Sequence, residues 1–145
     1  MTRFDSFQDR VDYHFHNSAL LDEAFLAAGA TASRADIDGP KKGNKRLALV
    51  GDAALRLAVL DEWFDGGTDT ADGHGQVMNV GTNERLAEVA RKWKVKDCII
   101  ANPCQQGEAP RELLAATMEA IVGAVWVDSK GNLETVQKVF KTLNE

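Results

Sequence analysis

With only two cysteines, Cys98 and Cys104, the chain has no disulfide framework to build, and the pair is spaced more widely than a zinc knuckle requires. His14, His16 and His74 fall too irregularly to suggest a ligand set and read as surface or packing residues. No apolar run approaches the ~20 residues that span a bilayer, so no membrane partner is expected. The opening residues Met1, Thr2, Arg3, Phe4 and Asp5 lack an apolar h-region and include an early acid, which argues against a secretory signal or a transit peptide. An intracellular location is expected, with cytosol, nucleus and mitochondrion all open. A surplus of positive charge is missing too: 17 Lys and Arg against 22 Asp and Glu leave a net charge of −5. This argues against binding nucleic acid through bulk basic charge, because phosphate affinity comes from cations that displace counterions.

Repeats, coiled-coil heptads, low-complexity stretches and a convincing strand pair are also absent. What remains is an ordinary globular composition, 44% hydrophobic and 27% charged over 145 residues. One domain is expected, since a chain of this size buries roughly 68–70% of its unfolded surface without covalent staples. Apolar spacing predicts helices over 19–28, with Asn17 or Ser18 as N-cap and Gly29 as stop, and over 44–64, ended by Gly66 and Gly67. Further helices are predicted over 82–93, 111–128 and 132–143. Gly39, Pro40 and Gly43 mark a loop, the polar stretch 68–75 reads as an exposed loop, and Asn102-Pro103 and Ala109-Pro110 bracket another. The expectation is an all-α domain. Trp63, Trp93 and Trp126 fall within or at the ends of apolar helical patterns and read as core or interface anchors rather than base-stacking platforms.

Charge is distributed unevenly. Lys41, Lys42, Lys45 and Arg46 form one basic cluster and Arg91, Lys92, Lys94 and Lys96 another, while Asp61, Glu62, Asp65, Asp69 and Asp72 form an acidic segment. The first cluster sits at a predicted helix N-terminus, where the macrodipole is already positive and an anion would relieve the conflict. Phosphate recognition there and a simple solvated loop both fit. The second cluster reads as a solvated face.

Two small-residue helical segments each present one acid. The first is Asn44-Lys45-Arg46-Leu47-Ala48-Leu49-Val50-Gly51-Asp52-Ala53-Ala54-Leu55, and the second is Ala115-Ala116-Thr117-Met118-Glu119-Ala120-Ile121-Val122-Gly123-Ala124. Together they resemble the two helices that form the active centre of the ribonuclease III family. The family's first motif reads like Glu-Arg-Leu-Glu-Phe-Leu-Gly-Asp-Ala-Val-Leu and aligns without gaps on Lys45 to Leu55. Arg46, Leu47, Gly51, Asp52, Ala53 and Leu55 match, whereas the family glutamates fall on Lys45 and Ala48. In the second motif Glu119, Ala120, Gly123 and Ala124 match, and the family aspartate falls on Ala116. Further matching blocks are Phe15-x-Asn17-x-x-Leu20-Leu21-x-Glu23-Ala24-Phe25, Asn83-x-x-Leu86-Ala87-x-x-Ala90 and Asp128-Ser129-x-Gly131. The set of substitutions resembles compact ribonuclease III-like proteins of filamentous fungi.

The resemblance implies a ribonuclease III endonuclease-domain fold and a symmetric homodimer, in which Leu49 stands where a family phenylalanine projects into the partner subunit. It also implies magnesium- or manganese-dependent cleavage of double-stranded RNA, with four acids surrounding the metals. This chain keeps Asp52 and Glu119. Ala48 and Ala116 replace the other two, each on the same helical face as its surviving acid, and Lys45 adds positive charge at the rim. A second metal is therefore expected to bind poorly, although one magnesium held by two acids and water is chemically sound. Glu112, one turn before Ala116, is a candidate surrogate ligand. Asp52 and Glu119 stay open to two readings, a metal or proton-sharing site or a purely structural polar pair bridged by Lys45 or Arg46.

The favoured expectation is a domain for structured or double-stranded RNA with weak or absent cleavage and an RNA-binding or ribonucleoprotein role, as in mitochondrial ribosomal components that adopt this fold without activity. The alternatives are an active magnesium-dependent endoribonuclease using Asp52 and Glu119, and an RNA-independent dimeric scaffold. A double-stranded-RNA-binding domain, usual in the family, has no room after Glu145, so RNA contacts are expected from this domain or from a protein partner.

Overall fold

The computed structural model describes residues 4–30, 39–101, 107 and 109–145. Cys104, Asn102 and Pro103 lie outside them. Among the described residues the chain forms α1 (Asp5–Val11), α2 (Ser18–Ala24), α3 (Lys45–Gly66), α4 (Thr70–Gly81), α5 (Asn83–Lys92), a 3₁₀ turn (Val95–Cys98), α6 (Arg111–Asp128) and α7 (Leu133–Asn144), with no strand. The all-α expectation is met. No described helix is long and apolar enough to cross a membrane.

Four helices begin as polar-side-chain chemistry dictates. Asn17, Asp69, Thr82 and Asn132 each accept a hydrogen bond from a backbone N–H of the first turn, offsetting donors that the helix itself leaves unpaired. Helix α6 is apolar nearly all round, with Leu114, Met118, Ile121, Val122 and Val125 buried, and such a helix belongs at the centre of a fold. Helices α2, α3, α5 and α7 pack around it.

Three departures from the sequence reading have identifiable physical causes. Helix α2 stops at Ala24 rather than at residue 28, because the chain then runs extended: Ile100 N–H donates to Phe25 O at 2.8 Å and Ala27 N–H donates to Ile100 O at 2.9 Å. The stretch expected as an exposed loop over 68–75 instead contains the start of α4. Asp69 caps that helix, Val77 buries one side of it, and Gly73 lets it lie against the Trp63 ring, where a Cβ would come within 2.6 Å. Helix α1, which the apolar spacing did not predict, buries Phe7 and Val11.

An aromatic cluster closes one end of the core. Phe25 packs against Phe4 and Phe7 with ring centroids 4.6 Å and 5.2 Å apart, and Phe7 lies edge-on to Trp93. The Trp93 indole N–H donates to Leu143 O at 2.8 Å, and the Arg10 guanidinium lies 4.7 Å above its ring. Trp93 is a core anchor, as its sequence context implied. Trp63 donates to Asp69 O, and Trp126 lies against Gly131.

The segment between α1 and α2 is fastened to the end of α6 by Asp128, whose side chain is 1% exposed. Its carboxylate accepts from Tyr13 Oη at 2.6 Å, His16 N at 3.0 Å and Asn17 N at 2.8 Å. Burial works to raise the Asp128 pKa, but these hydrogen bonds together hold it below the usual carboxylate range. Burial first, and then the bond to Asp128 and its charge, push the Tyr13 phenol above its ordinary value.

Candidate active centre at the crossing of α3 and α6

The centre exists because two glycines let two helices touch backbone to backbone. A Cβ built on Gly51 of α3 would lie 1.6 Å from Glu119 O of α6, and one built on Gly123 of α6 would lie 2.1 Å from Leu47 O of α3. No side chain fits in either place. Beside this contact Asp52 follows Gly51 on α3, and Glu119 stands one turn before Gly123 on α6. The two sequence-predicted acids are therefore brought together.

They meet as a carboxyl pair, close enough for Asp52 to act on the Glu119 side chain. Burial first, and then the bond to Asp52 and the charge of Asp52, push the Glu119 pKa up to about 7, while Arg56 pulls it down. Arg56 stands four residues after Asp52, and its Nε donates to Asp52 Oδ1 at 3.3 Å.

Ala48 and Ala116, on the same helical faces as the two acids, are each half-buried and offer no oxygen. Glu112 is not drawn in. Its carboxylate is exposed and accepts from Arg111 Nη2 at 3.2 Å, and its pKa is lowered by its own backbone N–H and then by Arg111. Among the described residues no group of three or more His, Cys, Asp or Glu side chains is gathered as metal ligands. Two carboxyls, one of them bonded to a guanidinium, do not supply the several anionic oxygens that a two-metal cluster needs.

The basic cluster divides. Lys41, Lys42 and Lys45 are exposed at the start of α3. Arg46, by contrast, is committed: Nε and Nη2 each donate to the buried Glu23 at 2.7 Å in a two-pronged pair, and this pairing raises the Arg46 pKa. Neither Lys45 nor Arg46 bridges the acid pair, the place the sequence reading held open for them. That place belongs to Arg56. Its signal was the i, i+4 spacing from Asp52. Asn44, 3% exposed, turns inward, donating from Nδ2 to Ala24 O at 2.9 Å and to Thr117 Oγ1 at 3.2 Å. It thereby holds α2, α3 and α6 in register.

The outer face of α3 carries apolar side chains into solvent. Leu49 is 76% exposed, Leu57 51% and Phe64 76%. The histidines are scattered, as expected: His14 meets the exposed Asp9, His16 meets Asp128 and His74 is exposed. Cys98 is a free, half-buried thiol whose pKa burial raises. A cavity of about 440 Å³ lies between α3, α4 and α7, lined by Val59, Glu62, Gln76, Val80, Gln137 and Phe140. Neither paired acid contributes to its wall.

Comparison with known proteins places this arrangement. A family model described as Ribonuclease-III-like matches residues 18–144. Ribonuclease 3 from Wigglesworthia glossinidia brevipalpis is 28% identical over 134 residues, covering 89% of this chain and 55% of the relative. Ribonuclease 3 from Psychromonas ingrahamii is 29% identical over 135 residues, covering 90% and 54% respectively. The chain thus spans about half the length of these relatives. Among solved structures, the nuclease domain of ribonuclease III from Campylobacter jejuni, described as flexible in a region involved in dimer formation, superimposes with a TM-score of 0.82 at 21% identity. That match covers 99% of this chain and 96% of the other. At such identity the likeness speaks for the fold.

Proposed function

The chain belongs to the ribonuclease-III-like family, and from that premise we propose that it engages double-stranded or structured RNA as a domain with an incomplete two-metal centre, cutting weakly or not at all. One observation carries this reading. Where the family resemblance implies four acids around the metals, this chain has two carboxyls, alanines at 48 and 116, and a guanidinium bonded to Asp52. Two carboxyls and water can hold one magnesium, but they do not supply the anionic oxygens for a pair of divalent ions.

RNA contact falls to the exposed lysines Lys41, Lys42 and Lys45, since Arg46 is held by Glu23. A homodimer accounts for the apolar stripe on α3, with Leu49 as the contact at the position of the family phenylalanine. Leucine is smaller and gives a looser fit. The dimeric arrangement would set two such lysine clusters on one surface, a way for a chain of net charge −5 to hold phosphate locally.

The test incubates purified protein with long duplex RNA and magnesium or manganese, and measures cleavage and binding separately. Binding at low salt without cleavage is the expected result. Loss of that binding in a variant with Lys41, Lys42 and Lys45 changed to Ala would assign the contact surface. Cleavage abolished by Glu119→Gln would instead show a working endonuclease. No binding even at low salt would leave a protein-interaction scaffold as the better account.

A further inference from the structure

Lys45, Ala48, Asp52 and Arg56 follow one another along a single stripe of α3, spaced by three or four residues. A full acid set would make the middle of this stripe strongly negative. Here the only acid in it is Asp52, and it is bonded to Arg56 at 3.3 Å. The same guanidinium acts electrostatically on Glu119 across the helix crossing. Ala116 adds no charge from α6. With Asp52, Glu119 and Arg56 together, the centre carries at most one net negative charge.

We infer that Arg56 is the resident cation of this centre, a fixed positive charge that has taken over the balancing role of a divalent ion and now keeps such an ion out. This deepens the incomplete-site reading and rests on it. Having few acids and holding a guanidinium beside them are separate physical effects. Missing acids lower the attraction for a divalent ion, whereas a guanidinium bonded to the remaining carboxylate both occupies an oxygen lone pair and repels the ion directly. The backbone supports the arrangement without strain, since a residue four positions along a helix lies over the earlier one. Arg56 is a positioning and charge-balancing residue.

Manganese ion alone is the probe, its affinity measured by the paramagnetic signal of the free ion in titrations of the full chain. Arg56→Gln is expected to bind manganese about tenfold more tightly than the unaltered protein. That is the size of one like charge facing a divalent ion a few ångströms away in a water-like medium. Arg56→Lys, which keeps the charge, should gain much less. In a background with Ala48→Glu and Ala116→Asp, adding Arg56→Gln should again tighten binding about tenfold. Arg56 is exposed, so these variants are expected to fold, and circular dichroism checks that they do. Equal affinities with and without Arg56 in both backgrounds would overturn the inference while leaving the incomplete-site reading intact. Tight manganese binding by the unaltered chain, with cleavage of duplex RNA, would overturn both.

Discussion

Gly51 of α3 lies so close to Glu119 of α6 that a Cβ on the glycine would fall 1.6 Å from the glutamate's carbonyl oxygen. This backbone contact sets where the two acids stand. A side chain at the crossing would push the helices apart and separate Asp52 from Glu119.

Gly51→Ala and Gly123→Ala should therefore each cost at least about 3 kcal/mol of stability, because the atoms to be displaced are backbone and cannot yield. Gly75→Ala is the matched control. Its Cβ meets nothing within 4 Å, and removing a glycine from an open helical position should stabilise by about 0.5–1 kcal/mol. Chemical denaturation of the three variants measures the contrast.

Glu119 makes stability depend on pH in a defined direction. Its pKa is about 7 in the folded chain against an ordinary 4.5, so the folded state holds this proton more firmly than the unfolded state. The contribution is fully present below about pH 4.5 and is lost as pH rises through about 7. Glu119→Gln should flatten the decline across that window. Its melting temperature relative to the unaltered chain should be higher at pH 8 than at pH 5, and a difference that stays constant with pH would count against the raised pKa.

Asp128 works in the opposite sense. Its lowered pKa means that its contribution is present above about 3.8 and lost as pH falls through the lower folded value. Asp128→Ala would orphan the Tyr13 hydroxyl and the backbone N–H groups of His16 and Asn17 together. A loss of about 2–4 kcal/mol is expected at pH 7, with hydrogen exchange quickening first in residues 13–17.

The apolar face of α3 should report on assembly. Leu49→Glu places a charge at a position already 76% exposed in the single chain, so folding should be nearly unaffected. Sedimentation at micromolar concentration should then show a monomer where the unaltered protein sediments as a dimer. If Leu49→Glu sediments like the unaltered chain, no dimer forms through this face.

Much of the fold was legible in local chemistry. Asn17, one of the two N-caps that the sequence offered, caps its helix, and residues 111–128 form a helix with the bounds that the sequence predicts. What failed locally failed for tertiary reasons. Residues 25–27 leave the helical path to pair with Ile100, and α4 forms in a polar, glycine-containing stretch because Trp63 accepts Gly73 against its ring. Neither partner is near enough in sequence to be visible in a local pattern.

By itself, the sequence determined which chemistry is available: one acid on each of two small-residue helices, alanines where two others would stand, and a leucine on the outer face of α3. Only the tertiary structure decided how those groups are used. It tied Arg46 to Glu23, brought Glu119 beside Asp52, and gave the neighbouring charge to Arg56. Pairing of charges depends on distances across helix crossings and on burial. Residue order supplies the groups, whereas packing sets those distances and the dielectric around them.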